Sequence, residues 1–294
     1  LLLKPDYTEA HYNMGTTLKE EGKLDKAIET FNKVLLLKPD YAEAHNNKGS
    51  VFIDQGKLDE AIKSFNKALS LKPNYAEAYN NIGVTLQNQD KLDEAIEAYN
   101  KALALKPDYA EAYNNIGLTF QTKGRFDKAL NAYKKALSLK PNYADVYNNI
   151  GNVYKNKGEL TKAIEAFKKA LKFKPDYAQA HNNKGATFID QGKPDKAIEA
   201  FHKALSLKPD YADALSNMGS AFKDQGKLEA SLEAYHKALS LKPDFPEAHH
   251  NMSFTLLNSG RVKEGLDSYE WRFETEVFKS HKRHFSKPFL NKKQ

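Results

Sequence analysis

The sequence predicts an all-α chain, an α-solenoid of stacked helix-turn-helix units, and three observations predict it. Lys-Pro followed by Asp or Asn and then an aromatic residue recurs at Pro5, Pro39, Pro73, Pro107, Pro141, Pro175, Pro209 and Pro243, 34 residues apart each time. Between successive prolines lie two stretches whose apolar and small residues fall at helical spacing. A glycine separates the two stretches at a fixed place in the period. Self-similarity at such a period marks an array of supersecondary units that bury their apolar faces against one another.

With this proline as position 32, units begin at Thr8, Ala42, Ala76, Ala110, Ala144, Ala178, Ala212 and Pro246. Residues 1–7, "LLLKPDY", duplicate residues 35–41 and read as the end of a truncated upstream unit. The first helix of each unit, helix A, is expected to start just after the proline. Asp or Asn at position 33 and Glu at position 2, as in Asp40 and Glu43, have the spacing of a capping box. Gly at position 15 (Gly22, Gly56, Gly124, Gly158, Gly192, Gly226, Gly260) ends helix A through a left-handed residue. Asp90 takes that place in the third unit, a substitution Asp bears better than most residues. Helix B carries Ala at position 20, an aromatic at 24, Ala at 27 and Leu at 28, one apolar face, before the proline stops it. Pro194 falls in a first turn, where proline is tolerated. The eighth unit is degenerate, with Ser253 for Gly, Gly265 for Ala and Arg272 for Ala. The eight units occupy 8–279, and 280–294 form a basic tail or linker.

The totals bound the chemistry. With no cysteine, disulfides, thiolate metal sites and thiol catalysis are excluded. Net charge is +7, but residues 272–294 hold seven Lys/Arg against two Glu, leaving the repeats near neutral. A nucleic-acid-binding array would spread its positive charge along the surface, so no nucleic-acid partner is expected. No apolar run is long enough to cross a bilayer, and residues 1–20 lack a signal-peptide pattern, which predicts a cytoplasmic protein without membrane insertion.

Small residues at positions 8 and 20, the position-24 aromatic, Ala27, Phe31 and Pro39 of the first unit and their equivalents downstream resemble the tetratricopeptide repeat (TPR) family. Its usual Trp at position 4 is His11, His45, Tyr79, Tyr113, Tyr147, His181, Leu215 and His249 here. The resemblance covers residues 1 to about 270 and implies a right-handed superhelix with the A helices lining its inner groove. It further implies that position 24 fills the space between neighbouring units. "YEWRF" (Tyr269–Phe273) and "RHFSKPF" (Arg283–Phe289) resemble the junction between such repeats and bacterial glycosyltransferase domains.

No catalytic, cofactor-binding or metal-binding constellation is present: no Walker loop, no GxGxxG and no HExxH. The chain is therefore read as non-catalytic, with no cofactor. The position-4 histidines sit a repeat or more apart, too far for a shared metal, and are given structural roles. Lys48 and Lys184 at position 7 lie in near-identical units and are read as one duplicated residue whose stem snorkels outward, the alternative being a buried functional lysine.

The asparagines carry the functional reading. Position 6 is Asn in every unit: Asn13, Asn47, Asn81, Asn115, Asn149, Asn183, Asn217 and Asn251. Position 5 adds Asn80, Asn114 and Asn148, and the variable positions 9 and 12 add Asn152, Gln87 and Gln121. Positions 3, 7, 8 and 11 form the face to be buried, which turns the position-6 stripe toward the groove. Co-chaperone-type members of the family clamp carboxylates with Lys and Arg at positions 2, 5 and 6. Position 2 is acidic here (Glu43, Glu77, Glu111, Asp145), so that clamp is missing. The repeats joined to O-linked N-acetylglucosamine transferases present an asparagine ladder to extended peptides, and this sequence is similar to those. The expected function is a scaffold for protein or peptide segments. Two alternatives stand beside it: the asparagines bond only between units, or the chain is the substrate-recruiting part of a glycosyltransferase whose catalytic domain lies beyond residue 294. Apolar ends at Leu1–Leu3 predict weak end-to-end self-association.

Overall fold

The computed structural model describes residues 7–274 of the 294-residue chain. Two compact units divide it, residues 1–146 and 147–294. In the first are α1 (Thr8–Glu20), α2 (Leu24–Leu37), α3 (Ala42–Asp54), α4 (Leu58–Leu71), α5 (Ala76–Asn88), α6 (Leu92–Leu105), α7 (Ala110–Thr122) and α8 (Phe126–Leu139). α9 (Ala144–Asn156) contains the boundary. The second holds α10 (Leu160–Phe173), α11 (Ala178–Asp190), α12 (Pro194–Leu207), α13 (Ala212–Asp224), α14 (Leu228–Leu241), α15 (Pro246–Asn258), α16 (Val262–Tyr269) and a 3-10 turn, Glu270–Glu274. No strand occurs among the described residues. Odd-numbered helices are A helices and even-numbered ones B helices, beginning where the period places them.

Backbone geometry follows the punctuation. The seven glycines at position 15 have φ between 67° and 79°, and Asp90 holds φ 60° in the same place. The capping box does not form. The N-cap is the position-34 aromatic (Tyr41, Tyr75, Tyr109), with no side-chain cap bond. Position-2 glutamates instead pair with the position-31 lysine of the same repeat: Glu43 with Lys72 at 2.8 Å, Glu77 with Lys106 at 3.1 Å. A lysine that can reach Glu wins over the cap, because the same ammonium also sits over the position-34 ring. Those lysine–ring distances run from 4.3 to 5.0 Å through both units.

Packing within a repeat is set by glycine at position 8. A Cβ added there would lie between 2.4 and 3.0 Å from the position-24 ring in every repeat that has this glycine. The ring therefore lies flat on bare helix A backbone. Its other side reaches the next repeat: Phe31 clusters with Ala44 and Val51, Tyr99 with Ile116, Phe201 with Leu215 and Met218. In the last repeat Ser253 occupies the glycine position. Tyr269 there sits edge-on to Phe254 at 5.9 Å, and α16 ends at that residue.

Candidate functional site

Each A helix carries its asparagine pair mid-helix, and the two members have different surroundings. Position 5 points inward: Asn46, Asn80, Asn148 and Asn182 are 1–7% exposed. Position 6 is half-buried from Asn47 to Asn251, while Asn13 is exposed. A buried amide must be hydrogen-bonded, and here the partner is the next repeat. Asn81 Nδ2 donates to Asn46 Oδ1 at 3.0 Å, and Asn115 Nδ2 to Asn80 Oδ1 at 3.0 Å. In the second unit Asn183 donates to Asn148 at 3.1 Å and Asn217 to Asn182 at 3.0 Å. At the N-terminal end Asn47 donates to the Tyr12 hydroxyl at 2.8 Å, since Tyr12 holds position 5 there.

Of the residues singled out in the sequence, Asn80 and Asn148 thus belong to the interior and act as acceptors between repeats. Asn114 is half-buried. Asn81, Asn115, Asn183 and Asn217 lie in rows within their units. Each spends one N–H on the preceding repeat and, among the described residues, keeps its side-chain oxygen and second N–H free of protein partners. Gln87 and Gln121 are more committed than their variable position suggests. Gln87 Oε1 accepts from the Tyr99 hydroxyl at 3.1 Å and from Thr119 at 2.9 Å, and Gln121 Oε1 accepts from Tyr133 at 3.0 Å. Gln87 therefore presents only N–H donors outward, while the Gln121 oxygen keeps one acceptor site. Asn152 is half-buried.

The histidines have a role the sequence did not reveal. Nε2 of His45, His181 and His249 donates to the carbonyl of the preceding repeat's proline (Pro39, Pro175, Pro243) at 3.0–3.1 Å. A ring N–H at position 4 ties a proline carbonyl that helix B leaves without an intrahelical donor. Burial holds the His45 imidazole below its usual pKa, against the pull of that bond. Trp271 stacks on His249 with ring centres 4.1 Å apart. Leu1–Leu3, Arg283–Phe289 and the 280–294 tail lie outside the described residues. No described helix is long and apolar enough to cross a membrane.

Comparison with known proteins bears on this arrangement. Residues 7–214 match the TPR family model described as "Cilia and flagella-associated protein 70 C-terminal domain", and residues 219–260 match that of the TPR repeat. The structure is similar to a chain in the crystal structure of the APC/C hetero-tetramer Cut9–Hcn1, with TM-score 0.72 and 21% identity over 82% of this chain and 48% of that one. This chain spans about half the length of that neighbour. It is also similar to pilF of Pseudomonas aeruginosa, with TM-score 0.62 and 21% identity over 71% and 95% of the two chains. At such identities the likeness is one of fold. The search of curated proteins gives no match.

Proposed function

Since this chain belongs to the tetratricopeptide repeat family, whose members are interaction modules, we propose that it is a non-catalytic scaffold whose A helices hold extended peptide segments through the position-6 asparagines. One observation carries the proposal. Asn81, Asn115, Asn183 and Asn217 are each fixed by one bond to the preceding repeat, yet retain an acceptor and a donor. An extended peptide offers both groups at every residue, and a pre-oriented amide meets them with little further loss of rotamer freedom. Gln87, with its oxygen doubly engaged and only donors left, favours carbonyl or carboxylate groups beside the row.

Backbone-directed contacts ignore side-chain identity, so one groove accepts many sequences. Each bond is worth about 1 kcal/mol net, which requires several repeats and a peptide of roughly ten residues. The test uses peptides selected on this chain from a random ten-residue display library. Pairwise removal of donor and buried acceptor (Asn46→Ala with Asn81→Ala, Asn80→Ala with Asn115→Ala) avoids stranding a buried amide. Affinity is expected to fall about fivefold per pair, with helicity unchanged. A folded double-pair variant that binds as tightly as wild type would refute the proposal.

A further inference from the structure

We infer that the second unit carries a distinct anion site, a cationic cleft beside α11 and α12 that takes a phosphate group. The cleft has a volume of about 620 Å³, within the usual range for small-ligand sites. Helical register builds it. Lys196 and Lys203 lie seven residues apart on one face of α12, with His202 at its edge. His181 and Lys184, three apart on α11, form a second wall, and Lys168 of α10 forms the third.

Four ammonium groups thus line one cleft with Glu199 as its sole carboxylate, and none of the four is ion-paired among the described residues. Elsewhere on this surface lysines find carboxylates, as Lys155 does with Asp190 and Lys237 with Glu233. Burial holds the Lys184 ammonium below its usual pKa; Glu199 opposes this and Lys168 adds to it. An anion in the cleft reverses that penalty.

A second, independent feature narrows the ligand. His181 gives its Nε2 proton to the Pro175 carbonyl at 3.1 Å, which leaves Nδ1 as a lone-pair acceptor. That atom is buried and has no partner. Monohydrogen phosphate and protonated phosphate monoesters supply oxygens for the lysines and, with a small opening of the cleft onto this solvent-closed atom, one O–H for Nδ1. Sulfate supplies the charge and no O–H.

The chain contains its own control. The second repeat shares His45, Lys48, Phe52 and Lys67 at equivalent positions, and His45 makes the same proline bond. It has Asn32, Glu60 and Asn66 where the cleft has Lys168, Lys196 and His202, and Lys63 where the cleft has Glu199. Those first three side chains are compatible with the fold and, placed in the cleft with Glu199 kept, balance its lysines with carboxylates.

The experiment titrates the full chain with inorganic phosphate, and separately with sulfate, at constant ionic strength in chloride near pH 7.5. Amide shifts of α11 and α12 report binding. Saturable phosphate binding localised to these helices is expected, several-fold tighter than sulfate. The variant Lys168→Asn/Lys196→Glu/His202→Asn should weaken it at least about tenfold while keeping the wild-type melting profile. Lys184→Gln, a single change, should weaken it too. Unsaturable shifts spread over surface lysines, or an unchanged affinity in both variants, would overturn the site. Sulfate binding as tightly as phosphate would overturn the assignment to His181.

Discussion

The side-chain amide of Asn115 donates to the buried Oδ1 of Asn80, 35 residues earlier, at 3.0 Å, and so ties its helix pair to the one before it. This bond separates two uses of the same residue. The inward-turned amide N–H joins repeats, and the remaining valences face solvent. Replacing Asn115 alone by Ala strands a buried amide oxygen and should cost about 1–3 kcal/mol. Adding Asn80→Leu should recover much of that. A double-mutant cycle in urea showing independent effects would mean that the bond carries no coupling.

Asp90 is the one non-glycine residue with positive φ among those described. Asp90→Gly should raise stability by about 1 kcal/mol, because glycine adopts this conformation without the Cβ penalty. The reverse change, Gly56→Asp, should cost a similar amount. A fall in melting temperature for Asp90→Gly would contradict this.

The two glycine classes should respond differently to one added methyl. In Gly83→Ala the Cβ meets Tyr99 Cε1 at 2.5 Å, whereas at Gly56 nothing lies within 4 Å and only the φ of +73° resists. Gly83→Ala should therefore cost well over 2 kcal/mol and Gly56→Ala about 1 kcal/mol. Equal effects would mean that the ring moves aside freely.

The sequence made helix boundaries, turn glycines and the reach of the position-24 ring into the next repeat legible, since each is repeated in register; that the same ring lies on the position-8 glycine of its own repeat was not read from it. It did not distinguish the neighbouring asparagines, because two adjacent positions on a helix differ by about 100° and either could face inward. Nor did it show what position 12 does. Gln87 and Gln121 occur with Tyr99 and Tyr133 in the same repeats, and Ile53 and Ile189 occur with Phe65 and Phe201. The hydroxyl needs an acceptor and the phenyl ring does not. That within-repeat pairing was the available signal, although the Tyr235 repeat has Lys223 at position 12 and satisfies its hydroxyl through Ser220. The capping-box spacing misled because Lys72 competes for Glu43 from the far end of the same repeat.

This pairing predicts a swap. Gln87→Ile should cost about 1–3 kcal/mol by leaving the Tyr99 hydroxyl without its amide. Gln87→Ile with Tyr99→Phe should return most of it, as repeats with Ile and Phe already manage. Additive losses in thermal melts would refute the rule.

Alkaline stability follows from the same rings. Burial pushes the Tyr235 hydroxyl up to about 12, and it raises Tyr99 and Tyr133 as well. A folded-state pKa raised above the unfolded value of about 10 contributes stability that is complete below pH 10 and is lost as pH rises toward the folded value. Melting temperature should therefore begin to fall above about pH 10. Phenolate absorbance from these three residues should appear only with unfolding. Their ionisation at pH 10 in the intact fold would contradict the burial account.

The central claim, that position-6 amides hold an extended peptide, is tested most directly by the side-chain NH2 resonances of Asn81, Asn115, Asn183 and Asn217. They would be followed by ¹⁵N NMR while a library-selected decapeptide is added. Saturable shifts in at least two consecutive members of one row, tracking the peptide's own binding curve, are the predicted result. Peptide binding that saturates while all four NH2 pairs stay in place would contradict it, and would leave the asparagines as links between repeats alone.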